Sequence, residues 1–221
     1  MFAITDSDGK RSYGVCRRLI GVVWDGAQQY RVANNGRCTL AVCIVTPQPW
    51  ISFFFQAVHV CALVLTTAAL ADAVQFVTSI AQLGDVERGA TVSVPVPGSA
   101  NSASLTRTVE DVDLLPLMSS LDASHVLALF ASLLFDRRIL LLSTNLERAS
   151  LAVIALESLL RPFRWHHIFI PVLPSKWIDY ILAPMPYLCA MHASNRAAVD
   201  KYPTGKETKM FLHIYIFFNL T

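Results

Sequence analysis

Residues 133–191 read LLFDRRILLLSTNLERASLAVIALESLLRPFRWHHIFIPVLPSKWIDYILAPMPYLCAM. Ile139 to Leu142 is a short, wholly apolar run behind two arginines, and Ile168 to Leu173 is a second. Continuous apolar runs of this length between helical segments predict strands of a mostly parallel sheet covered on both faces. Between them, Leu146, Ala149, Val153, Leu156 and Leu160 recur at helical spacing. Thr144 and Glu147 are spaced as a capping box for the start of that helix. Pro162 stops it, and Arg161 and Arg164 stand near its end, where cations complement the dipole. Ser175 is placed to cap a shorter helix with an apolar stripe of Trp177, Ile178, Ile181 and Leu182, ended by Pro184 and Pro186. Taken by periodicity, this is a strand–helix–strand–helix core, and it carries no chemistry of its own.

Three strings inside the stretch say more. LLFDRRILLLS (133–143), LLRPFRWHHIFIPVLP (159–174) and DYILAPMPYLCAMH (179–192) resemble the central module of DENN domains and stand in that family's order. The resemblance implies guanine-nucleotide exchange on a Rab-family small GTPase. It also places individual residues. Asp136, Arg137 and Arg138 match the acidic–Arg–Arg of a helix-to-strand junction, where Arg137 or Arg138 would pair with a carboxylate to fix the turn. Pro162, Phe163 and Trp165 match the phrase before the second strand, with Phe163 and Trp165 as core. Pro171, Pro174, Asp179, Tyr180, Pro184, Pro186 and Tyr187 complete the signature. The family's branch, connecdenn-like or another, stays open, as do the particular Rab and the oligomeric state.

Upstream, Phe2 to Thr5 and Ser12 to Cys16 read as strands joined by Asp6-Ser7-Asp8-Gly9, whose Asp and Gly favour a hairpin turn. FAITDSDGKRSYGVCRRL (2–19) resembles the end of the upstream, longin-like DENN module, whose start would lie before Met1. Gly21 to Val32 and Cys38 to Val45 flank Asn34-Asn35-Gly36, and Asn35-Gly36 signals a tight hairpin. Set beside the family, part of Gly21 to Arg37 reads as an insertion. Pro47-Gln48-Pro49-Trp50 then turns the chain into Ile51 to Val74. No Asp, Glu, Lys or Arg occurs from Cys38 through Ala71, and the 21 residues Ile51 to Ala71 are long enough to span a bilayer. Gln56, His59, Thr66 and Thr67 dilute the run, and no basic cluster flanks it, which speaks against a span; the resemblance to DENN proteins implies a helix buried under the upstream sheet instead. Gly84 to Leu121, rich in turn residues, reads as a linker with one strand at Thr91 to Val94. Asp122 is placed to cap a helix presenting Val126, Phe130, Leu133 and Leu134.

The expected organisation is α/β (α+β overall). Residues 1–83 form a partial longin-like lobe, and 84–121 a linker and the start of the central module. Residues 122–193 form an open α/β core with helices on both sheet faces, and 194–221 a divergent tail. Past His192 the signature stops, and the apolar segment Met210 to Leu220 is too short to cross a bilayer.

Composition narrows the functional classes. Hydrophobic residues make up 54% and charged residues 15%, a globular composition rather than a disordered one. A net charge of +2 gives no electrostatic case for nucleic acid. Met1 to Ile20 has no uninterrupted apolar core and is not a signal peptide. The five cysteines, Cys16, Cys38, Cys43, Cys61 and Cys189, lack CxxC spacing and read as reduced, mostly buried thiols of a cytosolic protein. No GxSxG elbow, GxxxxGK phosphate loop, GxGxxG turn or HExxH pair occurs. His166 and His167 are adjacent in a strand-prone run, so they point to opposite faces and do not share a metal. No metal and no cofactor are expected, and no catalytic residue.

For the partner surface, architecture offers one guide. Ligands of open α/β sheets meet the carboxyl ends of the strands, which places Ser143, Asn145, Pro171 and Pro174 near that edge. In the upstream lobe Asp6, Asp8 and Arg11 are the exposed polar candidates. Three functions compete on these readings. The first is a cytoplasmic exchange factor for a Rab GTPase in vesicle traffic, endocytosis included, recruited to vesicle or endosomal membranes through its GTPase. The second is a DENN-like binding or scaffold module without exchange. The third is a small membrane protein built on Ile51 to Ala71 and the apolar tail.

Overall fold

The computed structural model describes residues 1–202 except 7, 25–29, 33–38, 110, 111 and 113. The Asn35-Gly36 turn and the Met210–Leu220 segment lie outside the described residues. In chain order the strands and helices are β1 (Phe2–Thr5), β2 (Arg11–Ile20), β3 (Val22–Trp24), β4 (Tyr30–Val32), β5 (Thr39–Thr46), α1 (Ile51–Thr67), α2 (Leu70–Ala81), β6 (Thr91–Pro95), β7 (Ser102–Thr106), α3 (Leu115–Met118), α4 (Ala123–Leu134), β8 (Ile139–Ser143), α5 (Leu146–Ser158), β9 (Ile168–Ile170), a 3-10 helix (Ser175–Leu182), β10 (Tyr187–His192) and α6 (Arg196–Val199). The mixed α/β class expected from the sequence is what the chain adopts. Two compact units emerge, Met1–Arg11 with Asp113–Thr221, and Ser12–Val112.

In the unit Ser12–Val112, β2 pairs antiparallel with β5 over eight residues, from Tyr13↔Thr46 to Ile20↔Thr39. Gly21 follows at φ 74, where only a residue without Cβ sits easily, and it turns β2 into β3. β3 pairs with β4 and β5 with β2, so among the described residues the strands flanking Asn35-Gly36 do not pair with each other. The charge-free run becomes α1, whose Phe53, Ala57, Val58, Cys61 and Ala62 are almost fully buried. It packs on α2, β4, β5 and β7, and this enclosure explains a helix that is apolar nearly all round. No helix of the described residues is long and apolar enough to cross a membrane. Gln56, which looked like a dilution of the run, clamps β7: its amide donates to the Thr106 carbonyl at 3.0 Å and its oxygen accepts from the Thr106 N–H at 3.1 Å. The stretch read as a linker with one strand carries two, because Thr91–Pro95 pairs antiparallel with Ser102–Thr106. The serine-rich SASLT segment has too little apolar alternation to be legible as a strand, and α1 supplies its buried side.

The cysteine reading needs one correction. Cys61 and Cys189 are buried free thiols, whereas Cys16 and Cys43 stand directly opposite each other on β2 and β5 and are joined as a disulfide. Twenty-seven residues separate them in sequence, so spacing alone hid the pair. Cys38 lies outside the described residues.

In the other unit a three-stranded parallel sheet runs in the order β8-β10-β9. The central strand, β10, is the one periodicity missed. Tyr187–Met191 is buried at every residue, so it shows no alternation. Every residue of β8 is buried as well. α5 covers one face. Ile181 of the 3-10 helix and Val199 of α6 cover the other, over Leu140, Leu142, Cys189 and Met191. Helices therefore lie on both faces, as expected. The details of two helices differ from the reading. Asn145 rather than Thr144 caps α5, its side-chain oxygen accepting from the Arg148 N–H at 3.1 Å. The segment after Pro174 is 3-10 with a kink at Trp177 and no side-chain cap. That kink rotates the anticipated stripe apart: Ile181 is buried, while Trp177 and Leu182 are about half exposed, 54% and 49%.

Candidate functional site

All the sequence-derived candidates fall in the unit Met1–Arg11 with Asp113–Thr221. They gather at the two edges of the parallel sheet and on the β1–β2 turn.

The amino edge begins where α4 ends. Asp122 caps the start of α4 by accepting from the His125 N–H. At its other end, the Asp136 N–H donates to Leu133 and the Arg137 N–H to Ser132, at 3.1 and 2.9 Å. This is a Schellman closure with Asp136 at the left-handed position, φ 49. Aspartate tolerates that backbone better than most side chains, though less well than glycine. Its carboxylate lies 3.1 Å from His167 Nε2, just before β9. Arg138 reaches forward to the Ala183 carbonyl at 3.2 Å, just before β10. Arg137 stands 5.5 Å from the Phe135 ring. The Asp-Arg-Arg junction thus ties together the starts of all three strands. Trp165 is buried as expected and donates from its indole to the Ile168 carbonyl at 3.0 Å. Phe163 is not core. It is 70% exposed, and Pro162 beside it is exposed too, because the chain leaves α5 on a surface turn. His166 is exposed and His167 half-buried, and both precede β9 rather than lying in a strand.

The carboxyl edge is formed by the ends of β8 and β10. Ser143 is buried, and its hydroxyl accepts from the Asn145 N–H at 3.0 Å. Asn145 is committed to capping α5. His192, which sequence reasoning did not single out, bridges this edge. Its Nε2 donates to the Thr144 carbonyl at 3.1 Å, and its Nδ1 accepts from the Ser194 N–H at 3.2 Å. Pro171 is buried and Pro174 exposed. Asp179 accepts from the Tyr202 hydroxyl at 2.6 Å, a bond that raises the Tyr202 pKa. Tyr180 and Pro184 are exposed, Pro186 is half-buried and Tyr187 is buried. Within the sheet, burial pushes the Cys189 thiol up to about 12, so it is a packing group and not a nucleophile.

On the β1–β2 turn, Asp6 Oδ1 accepts from the N–H groups of Asp8 and Lys10, and Gly9 adopts φ 77. Asp6 and Asp8 are exposed, as read. Arg11 is not. Its guanidinium bonds Glu157 at 2.7 Å and the Trp165 carbonyl at 3.0 Å, and lies 4.2 Å from the Phe169 ring centre. Within this unit it ties the β1–β2 turn to the end of α5 and to β9.

Sequence reasoning also passed over Arg107, in the unit Ser12–Val112. Its buried guanidinium stacks 4.3 Å from the Trp50 ring, 3.1 Å from Asp85, and bonds the Val86 carbonyl. Trp50, Asp85 and Val86 also line a cavity of about 500 Å³ whose wall includes Ile44, Thr46, Phe54 and Val77. Among the described residues no group of three or more His, Cys, Asp or Glu is placed to hold a metal ion.

The arrangement is a shaped surface built on a parallel sheet with its polar groups held by one another. The model of the DENN (AEX-3) domain matches residues 37–207. The chain belongs to the DENN family. The DENN match runs past His192, where the signature strings stop, and takes in α6. Among curated relatives, DENN domain-containing protein 1A of Mus musculus is 28% identical over 196 residues, 87% of this chain and 18% of the relative. DENN domain-containing protein 1C of Mus musculus is 28% identical over 218 residues, 87% of this chain and 26% of the relative. DENN domain-containing protein 2A of Homo sapiens is 29% identical over 211 residues, 91% and 20% respectively. The chain therefore spans between a fifth and a quarter, roughly, of the length of the DENN relatives it matches.

Proposed function

We propose that this chain is part of a DENN-type guanine-nucleotide exchange factor, which promotes GDP release from a Rab-family small GTPase in vesicle traffic. The observation that carries the reading is the DENN match across residues 37–207. The chemistry asked of such a protein is differential binding. A surface that holds the nucleotide-free GTPase more tightly than the GDP-bound form lowers the barrier to release, with no covalent step and no cofactor. The GTPase is the proposed partner, and any attachment to vesicle or endosomal membranes from the cytoplasm would run through it.

The placement of the candidates sorts them for this role. Asp136, Arg137, Asn145, Pro174, Asp6 and Asp8 keep surface open to a partner, and they are the proposed interface residues. Arg11, Ser143 and Pro171 support the scaffold from within, and Arg138 ties its strands. The test is release of fluorescent GDP from a panel of Rab proteins, using this chain and a version extended at both ends. Release above the spontaneous rate by either supports the reading. Binding of nucleotide-free Rab without release by both replaces it with a scaffold function. Absence of both binding and release, with folded protein, overturns it.

A further inference from the structure

The antiparallel pair β2–β5 has two faces. Val15, Arg17 and Leu19 share one with Ile44, Val42 and Leu40. This is the side on which Val15 is fully buried and β5 is more covered. Cys16 and Cys43 belong to the opposite side, with Val45 and Ile20. That side is open: Val45 is 56% exposed and Ile20 65% exposed. Cys43 is exposed and Cys16 half-buried. The two are direct register partners with Cα atoms 4.2 Å apart, which marks a non-hydrogen-bonded pair, the type that brings facing side chains closest. Arg18 is exposed on the same side, two residues along β2 from Cys16.

We propose that Cys16 and Cys43 are a reversible thiol–disulfide pair, oxidised by exchange with a low-molecular-weight disulfide such as glutathione disulfide. Three features distinguish this pair from a disulfide that holds a fold together. Eight backbone pairs already join the two strands, so the sheet does not depend on the link. Solvent reaches Cys43, so reagents reach it. The free thiols Cys61 and Cys189 are buried and do not compete. The order of events follows from exposure. The Cys43 thiolate attacks one sulfur of glutathione disulfide, forming a Cys43–glutathione bond and releasing one glutathione thiolate. The Cys16 thiolate then attacks the Cys43 sulfur, closing the protein disulfide and releasing the second glutathione. Two protein thiols are oxidised and one glutathione disulfide is reduced to two glutathione molecules. Arg18 keeps positive charge on the face where both thiolates form.

The test uses the full chain with Cys38→Ser, so that no thiol outside the described residues contributes. The protein is equilibrated at a series of reduced-to-oxidised glutathione ratios, quenched with an alkylating agent and weighed by intact mass spectrometry. The expected result is a concerted loss of two alkylatable thiols as the ratio falls, without retained glutathione. Under the same conditions Cys16→Ser retains one glutathione on Cys43, because the resolving thiol is gone. Cys43→Ser gains glutathione on Cys16 several-fold more slowly. Circular dichroism of each variant checks that the sheet persists. Two alkylatable thiols at every ratio overturn the proposal. So does a disulfide that glutathione opens only in denaturant, or a Cys16→Ser chain that takes up no glutathione while folded.

Discussion

Arg11 offers the sharpest check on how the unit Met1–Arg11 with Asp113–Thr221 is held together. Replacing it with alanine removes a charge-assisted bond to Glu157 at 2.7 Å, a bond to the Trp165 carbonyl at 3.0 Å, and a cation–π contact at 4.2 Å. Hydrogen bonds to charged groups contribute about 1.5–3 kcal/mol each, and a partly desolvated cation–π contact about 1 kcal/mol. These do not add, and they are offset in part by desolvation, since Arg11 Nε is buried without a hydrogen-bond partner. The side chains of Arg11 and Glu157 keep 15% and 17% of their exposure, which also weakens the pair relative to a fully buried one. The expected loss is about 2 kcal/mol. With a urea slope of about 2 kcal/mol per molar, the unfolding midpoint falls by about 1 M. A double-mutant cycle of Arg11→Ala with Glu157→Ala isolates the pair, and a coupling of about 1 kcal/mol is expected. Arg11→Lys should recover less than half the loss, because one ammonium does not reproduce the two-pronged geometry. A coupling indistinguishable from zero, or full recovery by lysine, would refute the account of Arg11 as a bolt.

Three further outcomes are expected. Asp136→Gly relieves a left-handed backbone, whereas Asp136→Ala does not, so the glycine variant should be the more stable by about 1 kcal/mol in thermal melts, although both lose the contact to His167. Gln56→Leu leaves the Thr106 N–H and carbonyl without their partner, costing about 2 kcal/mol and speeding amide exchange at Thr106. The side-chain hydrogen bond to His125 holds the Asp122 carboxyl below the usual carboxylate range. A lowered native value adds stability above the unfolded value, and that stability is lost as pH falls through the native one. The protection factors of amides in the first turn of α4, corrected for the intrinsic rate at each pH, should therefore fall on the low side of the ordinary carboxylate range, and Asp122→Asn should remove that step.

How much could be foreseen depended on how far each residue's partner lay along the chain. β8 was legible because a strand buried on both faces is a bare apolar run, and α5 because its apolar residues recur every turn. β10 is apolar up to His192 as well, but Pro184 and Pro186 before it read as the end of a helix, so the run behind them looked like a continuation of a signature phrase. β7 failed for the opposite reason: SASLT carries almost no apolar signal, and its place in the sheet comes from β6 and from Gln56 at a distance of 50 residues. Within the candidate site, the Asp-Arg-Arg junction was recognisable as a unit, while its partners His167 and Ala183 were not.

From local pattern alone follow the α/β class, the buried rather than membrane-spanning expectation for Ile51 to Ala71, the turn at Asp6 to Gly9, and the family whose strings the chain carries. These depend on dihedral preference, hydrophobic period and word order, all contained within short windows. Tertiary structure alone decided that Arg11 is an internal tie rather than an exposed hairpin residue, since its partners lie 146 and 154 residues away. It decided that Phe163 faces solvent while Trp165, two residues on, is buried, because only the indole finds both a packed site and a carbonyl for its N–H. It joined Cys16 to Cys43 through strand register, a relation between two segments that neither segment encodes by itself.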